Sequence, residues 1–270
     1  KKIKSEKKIK LQNKIIKNIS QKDNYVEFGK NKKAYYDLII LCLGGNSKLY
    51  SKILNDRNIT KNYNQIALTA LVNHNFKIKN PSQYFLKEGP LAILPYSKNK
   101  FSLVWSLDNK FFKKNKKIVN SSTKLKIKNI FGSAKKFTIT DLQFFPIHLN
   151  LKTEYFKNNI LVFGQGIHSI HPIAGQGFNL IIRDIIMLYD LIAKNLSLGL
   201  TIKNSNILKD LKSSRGPENV LMGVGIDLTN SFFKQNKYFE PMKYMLLKKI
   251  SKIDFLKKIS KKISDTGIYF

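Results

Sequence analysis

The sequence predicts an α/β protein in which one nucleotide-type domain is interrupted by a mostly antiparallel sheet and followed by C-terminal helices. Three observations carry that expectation. Two short apolar runs, Asp37–Leu43 (DLIILCL) and Ile160–Phe163 (ILVF), each run into glycines, as buried strands feeding tight turns do. Between them IALTALV, GPLAILPYS and FSLVWSL are β-branched or aromatic and bounded by Gly, Pro, Asn or Ser, the pattern of a separate antiparallel set. After Phe163 a loop rich in glycine turns directly into an apolar run of helix length.

In chain order, NYVEFGKNKKAYYDLIILCLGG reads as a strand, a polar turn at Gly29–Lys33 and the fully buried strand Asp37–Leu43, closed by Gly44-Gly45. Three strands follow between Tyr63 and Leu107. NKFFKKNKKIVNSSTKLKIKNIFG is a basic, partly helical connection, FTITDLQFFPIHLNL another strand, and Ile160–Phe163 returns the chain to the first domain. The remainder is helical, and no internal repeat is present. The expected division is 1–60 for the first part of the nucleotide-type domain, 61–145 for the sheet, 146–225 for the return, and 226–270 for basic C-terminal helices.

A chain of 270 residues can bury a sizeable core, but 49 Lys+Arg against 17 Asp+Glu give it a net charge of +32. Such a charge would ordinarily point to nucleic acid or anionic lipid. Only Arg57, Arg183 and Arg215 are arginines, so 49 − 3 = 46 basic residues are lysines. Arginine is the residue suited to bidentate phosphate and base contacts, so no nucleic-acid role is expected. Cys42 is the single cysteine, which excludes an internal disulfide and a cysteine-based zinc site and fits a reduced, cytosol-facing location. No apolar run approaches the ~18 residues that span a bilayer. The sequence begins without Met or an apolar leader and reads as starting partway through a longer protein.

The chemistry concentrates in GQGIHSIHPIAGQGFNLIIRD (Gly164–Asp184). Gly164 and Gly166 let the backbone turn and come close to a ligand, Pro172 stiffens the loop, and Gly175-Gln176-Gly177 makes a second close approach. The helix expected over roughly Asn179–Asn195 is apolar almost all round, hence buried, and its N-terminus aims N–H groups and a positive dipole end at the loop. That suits a ligand carrying or developing negative charge, such as a phosphate or a flavin ring being reduced.

The string LVFGQGIHSIHPIAGQGFNLIIRDIIML resembles the second flavin motif of FAD-dependent aromatic hydroxylases. HPIAGQGFNL with the following Arg-Asp is similar to the ubiquinone-biosynthesis hydroxylases (the UbiH/UbiF/VisC type of flavin monooxygenase) in particular. YNQIA (Tyr63–Ala67), EGPLAILPYS (Glu88–Ser97) with SLVWSL (Ser102–Leu107), FFPIHL (Phe144–Leu149) and GIDLTNSFF (Gly225–Phe233) resemble that family in the same order, over roughly Tyr25 to Phe270. The resemblance implies a monooxygenase in which FAD, reduced by NAD(P)H or a reductase protein, reacts with O2 to a C4a-hydroperoxide and hydroxylates a prenylated phenol. Gly45, Gly164, Gln165, Gly166, His168, Pro172, Ala174, Gly175, Gln176, Gly177 and Asn179 would line the flavin, and the sheet 61–145 would roof the substrate. No side chain is singled out as catalytic, because the cofactor carries the chemistry.

Three departures bear on that expectation. The family opens with a strand–GxGxxG–helix unit for the ADP half of FAD, and no such unit is present in this sequence. Gly44 in CLGGNS stands where the family has an aspartate, with one residue deleted. Gln165 replaces a second aspartate that bonds the ribityl chain. The chain alone is therefore expected to hold FAD weakly. The rivals are a flavin hydroxylase with a soluble substrate and a non-catalytic scaffold among quinone-biosynthesis proteins.

Other features have plainer readings. His168 and His171 lack a nearby carboxylate or cysteine, so no metal site is expected; His168 packs or hydrogen-bonds near the flavin. His74 and His148 read as ordinary surface or strand residues, Cys42 as a small core residue, and Trp105 as sheet core, with a pocket wall as the alternative. Leu246, Ile250, Ile253, Leu256, Ile259 and Ile263 recur at helical spacing opposite lysines. That segment reads either as a helix packed on the domain or as a peripheral contact with an anionic inner membrane, bacterial or on the mitochondrial matrix side.

Overall fold

In a computed structural model of the protein, the residues described are 6–29, 32–45, 47–54, 58–132, 135–203 and 206–233, with 254, 258, 261 and 262. The chain divides into two units. The first comprises Lys1–Arg57, Lys152–Ile167 and Asp184–Arg215, and the second Asn58–Leu151, His168–Arg183 and Gly216–Phe270.

The first unit holds two small sheets. Strands β1 (Ile16–Ser20), β2 (Tyr25–Phe28) and β3 (Lys32–Tyr35) form an antiparallel meander, with Tyr25 opposite Ser20 and Tyr35. β4 (Ile39–Leu41) pairs in parallel with β11 (Ile160–Val162), Ile39 facing Ile160 and Leu41 facing Val162, and the two-residue β10 (Phe156–Lys157) adds an antiparallel edge. Alternation along these strands splits the core in two. Ile39, Leu41, Ile160 and Val162 pack with Val26 and with Tyr50 and Ile53 of the short helix α1 (Leu49–Ile53). Leu161 and Phe163 point the other way, onto Leu188, Ile207 and Leu211.

The second unit is built on a six-stranded sheet in the order β12-β9-β5-β8-β7-β6. Its strands are β5 (Asn58–His74), β6 (Ser82–Leu86), β7 (Gly89–Ser97), β8 (Lys100–Asp108), β9 (Phe137–Lys152) and β12 (His168–Ser169). β5–β8, β8–β7, β7–β6 and β9–β12 pair antiparallel, as the bounded β-branched strings require. Helices α2 (Asn109–Asn115) and α3 (Val119–Phe131) supply Phe112, Val119 and Ile127 to a core with Leu68, Val72, Leu91, Leu103 and Trp105. α2 starts where Asp108 Oδ1 accepts from the Lys110 and Phe111 N–H groups, at 2.8 and 3.3 Å. Trp105 is fully buried, opposite Leu68 on one neighbour and Leu91 on the other, which confirms it as sheet core.

Two long helices complete the described chain, α4 (Gly177–Ser197) and α5 (Ile207–Phe233), and the division between units falls within each. Several local expectations are corrected. The strand expected over Asp37–Leu43 is confined to Ile39–Leu41, with Ile40 and Leu43 exposed, because only alternate side chains of so short a strand face a packed layer. Cys42 lies beyond its end and is exposed, so it is not a core residue. α4 is not buried all round: Leu180 and Leu188 face inward, whereas Phe178, Ile182, Ile185, Ile186 and Tyr189 are exposed. The amphipathic segment Leu246–Ile263 lies, but for 254, 258, 261 and 262, outside the described residues. Among the described residues no helix is long and apolar enough to cross a membrane.

Candidate functional site

β4 and β11 run in parallel, so their carboxyl ends fall on the same side, where open α/β sheets bind ligands. Each end breaks into a glycine turn. Gly44 (φ +77°) precedes Gly45, and Gly164 (φ +63°) opens the 3-10 turn Gly164–Gly166. Tyr50 ties the two together. Its hydroxyl accepts from the Leu43 N–H at 2.8 Å, and a Cβ on Gly166 would lie 2.7 Å from its ring. Burial raises the Tyr50 phenol above its ordinary pKa; the Leu43 N–H works against that rise and the neighbouring Cys42 adds to it. Gly166 is therefore demanded by packing on Tyr50 and Val162, whereas no atom stands within 4 Å of a Cβ at Gly44 or Gly164. Gln165 is exposed between them.

The second stretch, in the other unit, is a loop locked by a histidine. His168 is a strand residue, paired with Leu151 in β9 and buried. His171 is fully buried, and its Nδ1 accepts from the Ile173 N–H at 3.0 Å. That bond requires the proton on Nε2, which then donates to Gln65 Oε1 at 2.8 Å. The Tyr63 ring meets His171 edge-on at 4.9 Å. Pro172–Ala174 forms a 3-10 turn that Gly175 (φ +63°) closes, its N–H donating to Pro172 O at 3.0 Å. α4 then begins at Gly177, with Leu180 N–H on Gln176 O at 3.0 Å and Asn179 Nδ2 on Gln176 Oε1 at 3.1 Å. The first turn of such a helix offers N–H groups with no partner inside the helix.

Each stretch by itself fits a flat group laid against the backbone. Gly175 and Asn179 are exposed, nothing stands within 4 Å of a Cβ at Gly175, and at Gly177 only Ile170 comes near, at 3.6 Å. Tyr50 and the His171–Gln65 bond were not legible as site features, although Gln65 lies in the YNQIA string. Among the described residues no cluster of three or more His, Cys, Asp or Glu could hold a metal ion.

Residues 37–199, more than half of the chain, match the family described as FAD binding domain. The chain belongs to that family. It is 26% identical over 260 residues to the mitochondrial ubiquinone biosynthesis monooxygenase COQ6 of Dictyostelium discoideum, covering 79% of this chain and 52% of the relative. It is 30% identical over 165 residues to the 3-demethoxyubiquinol 3-hydroxylase of Escherichia coli K12, covering 60% and 41%. The chain thus spans about half the length of the curated relatives it matches. In fold it is similar to Klebsiella pneumoniae HpxO, solved with FAD and uric acid, with a TM-score of 0.64 at 12% identity over 94% of this chain and 65% of that one. In this member of the FAD binding domain family Gly44, Gly164 and Gly175 all adopt left-handed conformations.

Proposed function

We propose that this chain is the flavin-cradling and sheet portion of a FAD-dependent aromatic-ring hydroxylase acting on a prenylated phenol in ubiquinone biosynthesis. The observation that carries the reading is the loop before α4: Gly175 is left-handed with open space beside it, while His171 holds the preceding turn rigid. The names of the curated relatives support the substrate class. FAD, when bound, supplies the redox chemistry with O2 and an electron donor, NAD(P)H or a reductase protein. Gly45, Gly164, Gln165, Gly166, His168, Pro172, Ala174, Gly175, Gln176, Gly177 and Asn179 are the residues assigned to hold it. The first turn of α4 stabilises negative charge developing at its loop, and the six-stranded sheet shields the reacting ring from water. The lysine-rich C-terminal sequence supports a peripheral seat on an anionic membrane surface, where a prenylated substrate resides.

The test is a titration of the purified protein with FAD, followed by absorbance and flavin fluorescence. Weak but saturable binding is expected, because Gly44 and Gln165 stand where the family has carboxylates. A protein that stays colourless at every FAD concentration overturns the enzyme reading and favours a non-catalytic scaffold among quinone-biosynthesis proteins.

A further inference from the structure

The first unit holds a buried charge that the flavin assignment does not use. Lys152 closes β9 and is 5% exposed. Its N–H donates to Ile167 O at 2.8 Å, directly after the turn Gly164–Gly166, so its backbone is fixed against that turn. Its ammonium stands 5.9 Å from the centroid of the Tyr50 ring. Tyr50 is the side chain that spans the two glycine turns, with its hydroxyl on the Leu43 N–H and its ring against Gly166. The cation therefore sits beside the carboxyl ends of β4 and β11, over the residue that joins them.

The sequence that forms these turns supplies only basic charge. Neither Leu38–Leu54 nor Tyr155–Arg183 contains an Asp or a Glu. Glu154 is committed to Lys212 at 2.7 Å. Gly44 and Gln165 are neutral where the resembled family carries carboxylates, so the sign of the charge at the turns is reversed. A buried ammonium is costly to desolvate, and salt and water screen its field little. Such a field favours a ligand that brings negative charge to the turns over one that brings only hydroxyls.

We propose that Lys152 makes the mouth of the two glycine turns a seat for a phosphate-class anion, carried by a flavin nucleotide or present as free diphosphate. Lys152 is a positioning charge there, acting through its field and through Tyr50. The link to a flavin rests on the hydroxylase reading above, whereas the charge and its place are read from these residues alone.

The test compares riboflavin, which has no phosphate, with FMN and FAD, titrated at low salt and followed by flavin fluorescence. FMN and FAD should bind about tenfold more tightly than riboflavin, and raising the salt should shrink that advantage. Lys152→Met should remove most of the advantage while leaving riboflavin within about twofold of wild type. Lys157→Met deletes an equal charge from an exposed strand position and should leave all three affinities unchanged. Inorganic diphosphate should raise the thermal melt of the wild type but not of Lys152→Met, a readout that needs no flavin. Should Lys152→Met fail to fold, Lys152→Gln is held to the same outcomes.

Equal weakening of all three flavins in a folded variant, the same loss in Lys157→Met, or a phosphate advantage that survives without Lys152 overturns the proposal. Diphosphate stabilisation that depends on Lys152, with no flavin bound at any concentration, leaves the anion seat standing and overturns the hydroxylase reading. Flavin binding with neither a phosphate advantage nor a diphosphate shift does the reverse.

Discussion

Arg215 donates from Nε to Asp184 Oδ1 at 2.7 Å, with the two side chains only 5% and 1% exposed. The pair joins α4 to α5, and the adjacent Arg183 makes a second link to Glu218 at 3.2 Å. Two of the three arginines in the chain are thus spent on helix-to-helix ion pairs.

Removing one partner of a buried ion pair typically costs about 3–5 kcal/mol. Arg215→Met should therefore lower the unfolding free energy by about that amount in urea denaturation. The double variant Asp184→Leu/Arg215→Met should recover most of the loss, because an apolar pair of similar volume needs no desolvation. A double variant as unstable as the single one would show that the charges themselves are required.

The glycines of the loop separate into two kinds with different expected outcomes. Gly166→Ala pushes a methyl into Tyr50 and Val162 and should cost about 1–3 kcal/mol of stability. Gly175→Ala meets open space but is held at φ +63°, so it should cost about 1–2 kcal/mol. Only the second places its methyl on the open side of the loop, so only Gly175→Ala should also weaken FAD beyond its effect on folding. Thermal melts with and without FAD separate the two.

His171 and Gln65 should behave as a unit. Gln65→Leu removes the acceptor 2.8 Å from the buried Nε2–H and should cost about 1–3 kcal/mol. In the His171→Leu/Gln65→Leu double variant the loss should fall short of the sum of the singles. A double-mutant cycle by denaturation measures the coupling, and additive losses would remove the bond from the account.

What was legible in the sequence was what residue type alone encodes. Glycines at Gly44, Gly164 and Gly175 announce left-handed turns, and the bounded strings between Tyr63 and Leu107 announce antiparallel strands. Tyr50 and the ion pairs were not legible, because each matters through a partner far along the chain: Tyr50 through Gly166, Asp184 through Arg215. Cys42 and α4 were misread for a related reason. Apolar composition says that a segment tolerates burial, but which of its faces meets another layer is decided by the fold.

Two of the buried tyrosines set an alkaline limit. Tyr50 and Tyr63 are both raised above the ordinary phenol value of 10.0, each chiefly by burial; at Tyr63 the Asp227 carboxylate adds repulsion that favours the neutral phenol. The folded protein therefore holds these two protons after the unfolded chain has released them. The stability they confer is complete below pH 10.0 and is lost as pH rises from there through the folded values. Each contributes a slope of up to about 1.4 kcal/mol per pH unit in that window. The wild-type slope sums every ionisable group of the chain, so that slope alone decides nothing. Tyr63→Phe and Tyr50→Phe leave the other groups unchanged, and the difference in unfolding free energy between wild type and each variant isolates the phenol. Each gap should stay constant up to about pH 10 and then shift in favour of the phenylalanine variant as pH climbs. A gap that stays flat across the window would show that the phenol in question ionises as easily folded as unfolded.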